Sequence, residues 1–472
     1  MIFLKKLTPF TLPFLLAACG NDDLDPSDLQ TPNIYEFSSL TDPSAESSVE
    51  YKEVITRRIL INELDHLIGS EYLQTIGAAP GGKDAVIELL NRIYKIGTKD
   101  QTNNLVSVNL YNEQSEATPI NGAPLLSGLT LLQTTFADLP PNINLQDVMP
   151  GLAYDLPYRA ENNADYGELI GWSKHDVNDE DLLPDTLIQL WFERIATFAS
   201  DGDDTTTYFE ANLDYKTLIV QFLSATLFYP QAAAFHLNEQ QGLLTENSNT
   251  GQPYTELQHH WDLAFGHYGL ARNAKTLGPN QISEQADNDS NGGGTIDLYS
   301  EYNFAFAQQA ALKDIQATFV DANYSTKTLQ AFLAGRHLID LNYSDNTQLH
   351  NFRAKINVQA NNILTNWENS LAATMVQNIN ELSQSVNYIG ISPSLDQTYA
   401  NQWANLKARS LGLQFNANSQ LNREDLEMLH GHIGNAPAIN RSQIPSNLNE
   451  LFSARTLLQT QFNFSEENIL AW

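Results

Sequence analysis

Cysteine occurs once in the 472 residues, at Cys19. No intrachain disulfide can form, and thiol catalysis in the rest of the chain is excluded. Basic residues are scarce: 25 Lys and Arg stand against 56 Asp and Glu, a formal net charge of −31 at pH 7. That balance repels phosphate backbones and anionic lipid, so nucleic acid is not an expected partner, while metal ions and other cations are. Beyond residue 18 no hydrophobic run is long enough to span a bilayer. There is no His-Glu-x-x-His zinc signature, no Gly-x-Ser-x-Gly elbow and no dinucleotide-binding glycine fingerprint. Gly77-x₄-Gly82-Lys83 comes near a phosphate loop, but Asp84 stands where a hydroxyl must hold magnesium. A helix stop and a new cap explain those residues better.

What is present begins at the amino terminus. Lys5 and Lys6 precede an apolar run from Leu7 to Leu16, and Ala17-Ala18 lead into Cys19. A charged start, a short apolar middle and small residues make a secretory signal over residues 1–18. The lone cysteine directly after Leu-Ala-Ala resembles a bacterial lipobox, whose thiol and new amino terminus are acylated. Several acyl chains together anchor a protein stably to a membrane. Gly20, rather than an aspartate, follows the cysteine, which implies the outer membrane. Residues 19–50 are polar and proline-containing and read as a flexible tether, with Tyr35 and Phe37 as the first to dock on the body.

From residue 51 the text is helical, and strand-like alternation is scarce. Apolar spacing predicts helices over Val54–Gly77 and from Asp84 to Gly97, then a long irregular segment over 98–177. Leu187, Leu190, Trp191, Ile195 and Phe198 form one stripe. Residues 213–229 are apolar all round and read as a central helix. Further helices are expected near 255–275, 298–322, 325–341, 346–388, 396–413 and 423–431. The fold class is all-α, packed bundles, in one body over 51–472 or two bundles over about 51–275 and 298–472. Trp261 and Trp403, each at the centre of a helix, suggest a faint duplication.

Two stretches carry chemistry. The first is Asp287-Asn-Asp289-Ser-Asn291-Gly-Gly293-Gly-Thr295-Ile-Asp297, with Glu301 just beyond. Calcium takes six to eight oxygens, and an EF-hand-type loop supplies them at alternate positions around a glycine bend. Two registers fit: starting at Asp287 puts Asp289 and Asn291 at the third and fifth positions and Gly292 at the bend, while starting at Asp289, preferred for its back half, puts Asn291, Gly293, Thr295 and Asp297 at the alternate positions and Gly294 at the bend. Glu301 then lies one residue past the closing place, and Asp287 can fill a gap. The expected role is structural, with Kd on the order of 10⁻⁴–10⁻³ M. The competing reading is a surface turn whose aspartates cap the next helix.

The second is Glu256-Leu-Gln-His259-His260-Trp261-Asp262-Leu-Ala-Phe-Gly-His267. On a helix Glu256, His260 and His267 share one face, and His259 and Asp262 form another pair. Neutral imidazole beside carboxylate suits a transition metal, of unspecified kind, or proton transfer. The competing reading is core packing against Trp and Phe. A third candidate, Gly335-Arg-His337-Leu-Ile-Asp340, approximates a Gly-x-His-x-x-Glu pattern with Asp in place of Glu. Trp367-Glu368 reads as packing plus a rim carboxylate.

Tyr35-x-Phe37, Ser47-Ser48-Val49-x-Tyr51, Leu223 to Tyr229, the His259–Gly266 and Ile296–Phe304 stretches, Trp367-Glu368 and His432 to Pro437 together resemble a bacterial lipoprotein family of unassigned function. Its members look helical and similar in build to imelysin-like proteins. The resemblance implies an iron- or haem-acquisition setting, and hence a metal or haem ligand or an uptake-system partner. An imelysin-like peptidase or hydrolase and a plain interaction module are the alternatives. At Trp403, where a second His-Trp-Ser-Glu-like motif is expected, this chain reads Asn401-Gln402-Trp403-Ala404-Asn405.

Overall fold

The computed structural model describes residues 31–96, 119–124, 128–153, 169–172, 183–201, 209–210, 213–284, 288–317, 320, 322–344, 349–416 and 418–472. Cys19, Asp287 and much of 98–177 lie outside them. The described chain is all-α apart from two-residue strands. The first half holds α1 (Lys52–Ile68), α2 (Glu71–Gly77), α3 (Gly82–Tyr94), α4 (Pro184–Asp201), α5 (Tyr215–Leu227), α6 (Tyr229–Gln231) and α7 (Glu256–Tyr268). The second holds α8 (Pro279–Ser283), α9 (Ala305–Gln316), α10 (Tyr324–Leu341), α11 (Leu349–Ser385), α12 (Pro393–Gly412), α13 (Arg423–Ile433), α14 (Ile444–Gln461) and α15 (Glu466–Ala471). Strand β1 (Thr130–Leu131) is the first of the short pieces; β2 (Phe209–Glu210) pairs antiparallel with β3 (Leu213–Asp214), and β4 (Thr295–Ile296) runs parallel to β1.

Local chemistry sets the boundaries. The single helix expected over Val54–Gly77 is two helices, because Gly69 ends α1 and the Ser70 hydroxyl accepts from Leu73 N at 3.3 Å to cap α2. Asp84 lies inside the first turn of α3 rather than capping it; Gly81, at φ 75°, holds the cap position. The helix expected from 298 starts only at Ala305, since residues 297–301 close the acidic loop. Helix α14 was not foreseen. It turns only Leu451, Ala454 and Leu458 fully inward from a polar sequence.

The core is one continuous hydrophobic cluster running from Tyr35 to Trp472. Helix α11 spans 37 residues, about 55 Å at 1.5 Å per residue, and packs on α9, α10, α12 and α14. Helix α5 packs on α1, α4 and α12. Against the expectation that no run beyond residue 18 is long enough to span a bilayer, Tyr215–His236 is long and apolar enough by length and composition, but most of it is buried in the protein, as a central helix would be. The two tryptophans flagged as a faint duplication share one device. Trp261 Nε1 donates to Phe332 O and Trp403 Nε1 to Ile433 O, each at 3.0 Å.

Tyr35 and Phe37 do dock. The Tyr35 ring stacks on Phe265 with centroids 3.7 Å apart, and its hydroxyl donates to Asp262 Oδ1 at 2.7 Å. Tyr35 N donates to Arg272 O at 2.7 Å, so part of the polar amino-terminal segment belongs to the body.

Candidate functional site

Helix α7 is anchored by a capping box in which Thr255 accepts from Gln258 N and the Gln258 side chain accepts from Thr255 N. Its two long faces do different things. One face presents His260 and His267 to His236, which comes from the π-helical turn Ala232–His236 that follows α6. His236 Nδ1 and His260 Nδ1 stand 3.0 Å apart, and the His236 ring stacks on His267 with centroids 5.2 Å apart. Phe235 meets His260 edge-on, and Phe228 lies against His267. At 3.0 Å one ring nitrogen donates and the other accepts, so the two rings hold complementary tautomers. His267 Nδ1 is buried and has no partner among the described residues.

Burial is the main force on these rings. It drives the His236 pKa well below the ordinary imidazole value, with the His260, His259 and Arg57 charges adding to the effect. Burial likewise lowers His267, helped by His236 and two arginines. His260 is pushed down to about 4, by burial first and His259 second. The cluster is therefore three neutral imidazoles at neutral pH.

The opposite face of α7 is an ion-paired clasp. Arg336 of α10 is fully buried, and its Nε donates to Asp262 Oδ1 at 2.9 Å. Another of its nitrogens pairs with Asp340, and Nη2 donates to Ser48 Oγ at 2.6 Å. Gln258 Nε2 also donates to Asp340 Oδ1, at 2.8 Å. Burial opposes the Arg336 charge, but the Asp262 and Asp340 carboxylates outweigh it and raise the pKa.

The structure thus brings His260 and His267 together with His236, and Asp262 and Asp340 together around Arg336. It does not assemble the rest of the predicted set. Glu256 is exposed and has no bond to His260 among the described residues. His259 stacks on Tyr254 with centroids 4.5 Å apart, and its Nδ1 has no partner among the described residues. His337 is half-buried and is not bonded to Asp340 among the described residues. In the Gly-x-His-x-x-Asp pattern, the glycine has a packing role: a Cβ on Gly335 would sit 1.9 Å from the Trp261 ring. Sequence reasoning missed His236. Its place behind Ala232-Ala233-Ala234-Phe235, in a π-helical turn, gave no spacing that pointed to α7.

The acidic loop is built around its last carboxylate. Glu301 is 1% exposed. Its Oε1 accepts from Ser290 N, Ser290 Oγ and Asn291 N, and its Oε2 accepts from Asp297 N at 3.0 Å. Asp289 accepts from Gly293 N and Gly294 N, and Asn291 Oδ1 also accepts from Gly293 N. Gly292 and Gly294 take φ of 71° and 80°, the left-handed conformation this turn needs. Asp297 accepts from Gln133 Nε2, Tyr299 N and Ser300 Oγ. Thr295 sits in β4 against β1. The oxygens named for calcium therefore share one loop but are turned toward N–H and O–H donors. Among the described residues no three His, Cys, Asp or Glu side chains are arranged to hold a metal ion.

Trp367 is the packing residue expected, with its ring against Tyr229, Tyr268 and Phe306. Glu368 is not on a rim: it is 2% exposed and accepts from Ser419 Oγ and Gln420 N. Burial raises its pKa, and it lines a polar cavity of about 270 Å³ with Asn238, Asn357 and Asn361. No family model, no curated protein and no solved structure matches this chain.

Proposed function

We propose that the protein is an outer-membrane lipoprotein, held by acyl groups on Cys19, whose helical body binds a metal complex through the His236–His260 pair. The reading rests on one observation, the 3.0 Å Nδ1–Nδ1 contact between rings that burial keeps neutral. Neutral imidazole is the form that ligates transition metals. A closed site for a bare ion takes three or four protein ligands. Two imidazole donors leave coordination positions for groups that arrive with the metal, which favours a chelate or haem, in keeping with an iron-uptake setting. Calcium is proposed as a second, structural ion on the Asp289, Asn291, Asp297 and Glu301 oxygens, displacing some of the N–H donors those carboxylates now accept.

Two measurements test this. Protein purified without chelators is titrated with Ni²⁺, an iron chelate and haemin, followed by absorbance. His236→Ala and His260→Ala are each expected to weaken binding by at least about tenfold. Affinity unchanged in both variants overturns the histidine reading. Separately, millimolar calcium is expected to raise the Tm, and Asp289→Ala to abolish the rise. An unmoved Tm in the wild-type chain removes calcium from the proposal.

A further inference from the structure

Another hollow, partly open to solvent, lies where α1, α5, α9, α11 and α12 meet. It is a cavity of about 160 Å³, and its lining includes Arg58, Asn62, Phe306, Gln309, Met375 and Arg409. Two arginines lining one small cavity is unusual chemistry in a chain of net charge −31. Neither has an ion pair with a carboxylate among the described residues.

Arg58 is 6% exposed. Its planar face is covered by aromatic rings, with Phe228 at 4.0 Å and Phe304 and Phe306 at 5.1 and 5.5 Å. Those contacts engage the face and leave the in-plane N–H donors free. A guanidinium has five such donors. One nitrogen, Nη2, bonds to His267 O, while Nε is buried without a partner among the described residues. Arg409 donates from Nε to Gln221 Oε1 at 3.2 Å and from Nη1 to Asn378 Oδ1 at 3.0 Å, and the Glu381 carboxylate acts on its charge from nearby without a direct ion pair among the described residues. The side-chain amides of Asn62 and Gln309 make no hydrogen bond among the described residues. The cavity therefore collects one buried cation with an unpartnered N–H, a second arginine held by amides, two spare amides and an apolar wall.

Leaving Arg58 without an anion has a cost: burial pushes its pKa down to about 9. Burial also lowers Arg409, to about 10, with the Glu381 carboxylate opposing part of the shift. Guanidinium groups recover most from carboxylate or phosphate, through paired, charge-assisted hydrogen bonds. The apolar wall of Phe306 and Met375 selects between those two. It suits a carboxylate with a hydrocarbon body and penalises a fully hydrated phosphate. The volume is below the roughly 300–1,000 Å³ of pockets for drug-sized ligands, so the ligand is small.

We propose that this cavity binds a small organic carboxylate, with Arg58 and Arg409 taking the carboxylate and Phe306 and Met375 its apolar end. The site is separate from the histidine pair. Arg58 meets that cluster at His267, through its carbonyl, its charge and the shared Phe228 ring, but has no bond to His236 or His260 among the described residues, so either proposal can fail alone.

The test uses the full chain in a chelator-containing buffer and isothermal titration with butyrate, succinate, benzoate and inorganic phosphate. At least one carboxylate is expected to bind saturably and raise the Tm. Arg409→Gln, at a half-buried position, is expected to weaken that binding by about tenfold or more. Arg58→Lys, which keeps the charge but not the fork, is the second variant, and circular dichroism checks the fold of both. The proposal is overturned if no carboxylate binds, if phosphate binds where carboxylates do not, or if both folded variants bind as wild type does.

Discussion

At the scale of single residues, burial decides what each charged group can do. Arg336 and Asp262 are both 0% exposed and face each other at 2.9 Å. Removing one leaves the other buried and uncompensated, which typically costs about 3–5 kcal/mol. Arg336→Met, which strands Asp262, is expected to lose that much stability in urea denaturation; Tyr35→Phe, which removes one hydrogen bond to Asp262, is expected to cost about 1 kcal/mol. The histidines make a pH prediction. Unfolded imidazoles titrate near 6.5, whereas folded His260 titrates near 4 and His236 and His267 well below the ordinary value. Above about pH 6.5 both states are neutral at these rings and the full stability is present. As pH falls toward about 4, the unfolded chain takes up protons that the folded chain refuses, so stability declines. Thermal melts across that window are expected to show a falling Tm, and His260→Gln is expected to flatten the slope. An identical slope in the variant counts against the cluster as its source. Here the sequence was half legible. Helical periodicity put His260 and His267 on one face and Asp262 on another, but nothing local revealed His236 or Arg336 as their partners, because both contacts are made between elements.

At the scale of elements, close approach explains what periodicity could not. Gly335 reads in sequence as part of a metal-site pattern, whereas in the structure it lets α10 lie against the Trp261 indole of α7. Gly335→Ala places a methyl group 1.9 Å from that ring. Overpacking of this kind costs about 1–3 kcal/mol or more, and a lowered Tm with intact helical circular dichroism is the expected readout. The acidic loop gives a second prediction. Glu301 gathers backbone N–H groups of Ser290, Asn291 and Asp297, so Glu301→Ala is expected to speed amide exchange in the loop while α9 stays protected. The long helices were readable because their apolar stripes run for many turns. Their ends were less so, because Gly69 and Ser70 interrupt one stripe without changing its period. Helix α14 escaped notice because only one narrow ridge of it is fully inward.

At the scale of the whole molecule, the all-α class followed from composition and period alone, while the folding of residues 31–50 onto the core did not. A polar, proline-bearing stretch reads as a tether, and its few aromatics alone decide otherwise. The anchoring proposal belongs to this scale. Cys19→Ser is expected to move the protein from the membrane fraction to the soluble fraction without lowering its Tm, and retention in the membrane pellet counts against a lipid link. The docked segment has a mechanical corollary. Tyr35 and Ser48 are fastened to the Asp262–Arg336 pair, which couples α7 to α10 beside the imidazole cluster. A pull applied at the leading end of the described chain loads the Lys275 contacts of Thr31 and Pro32 and then this fully buried pair of charges, and the stretch of chain beyond Tyr35 cannot peel away without straining the ground on which the histidines stand.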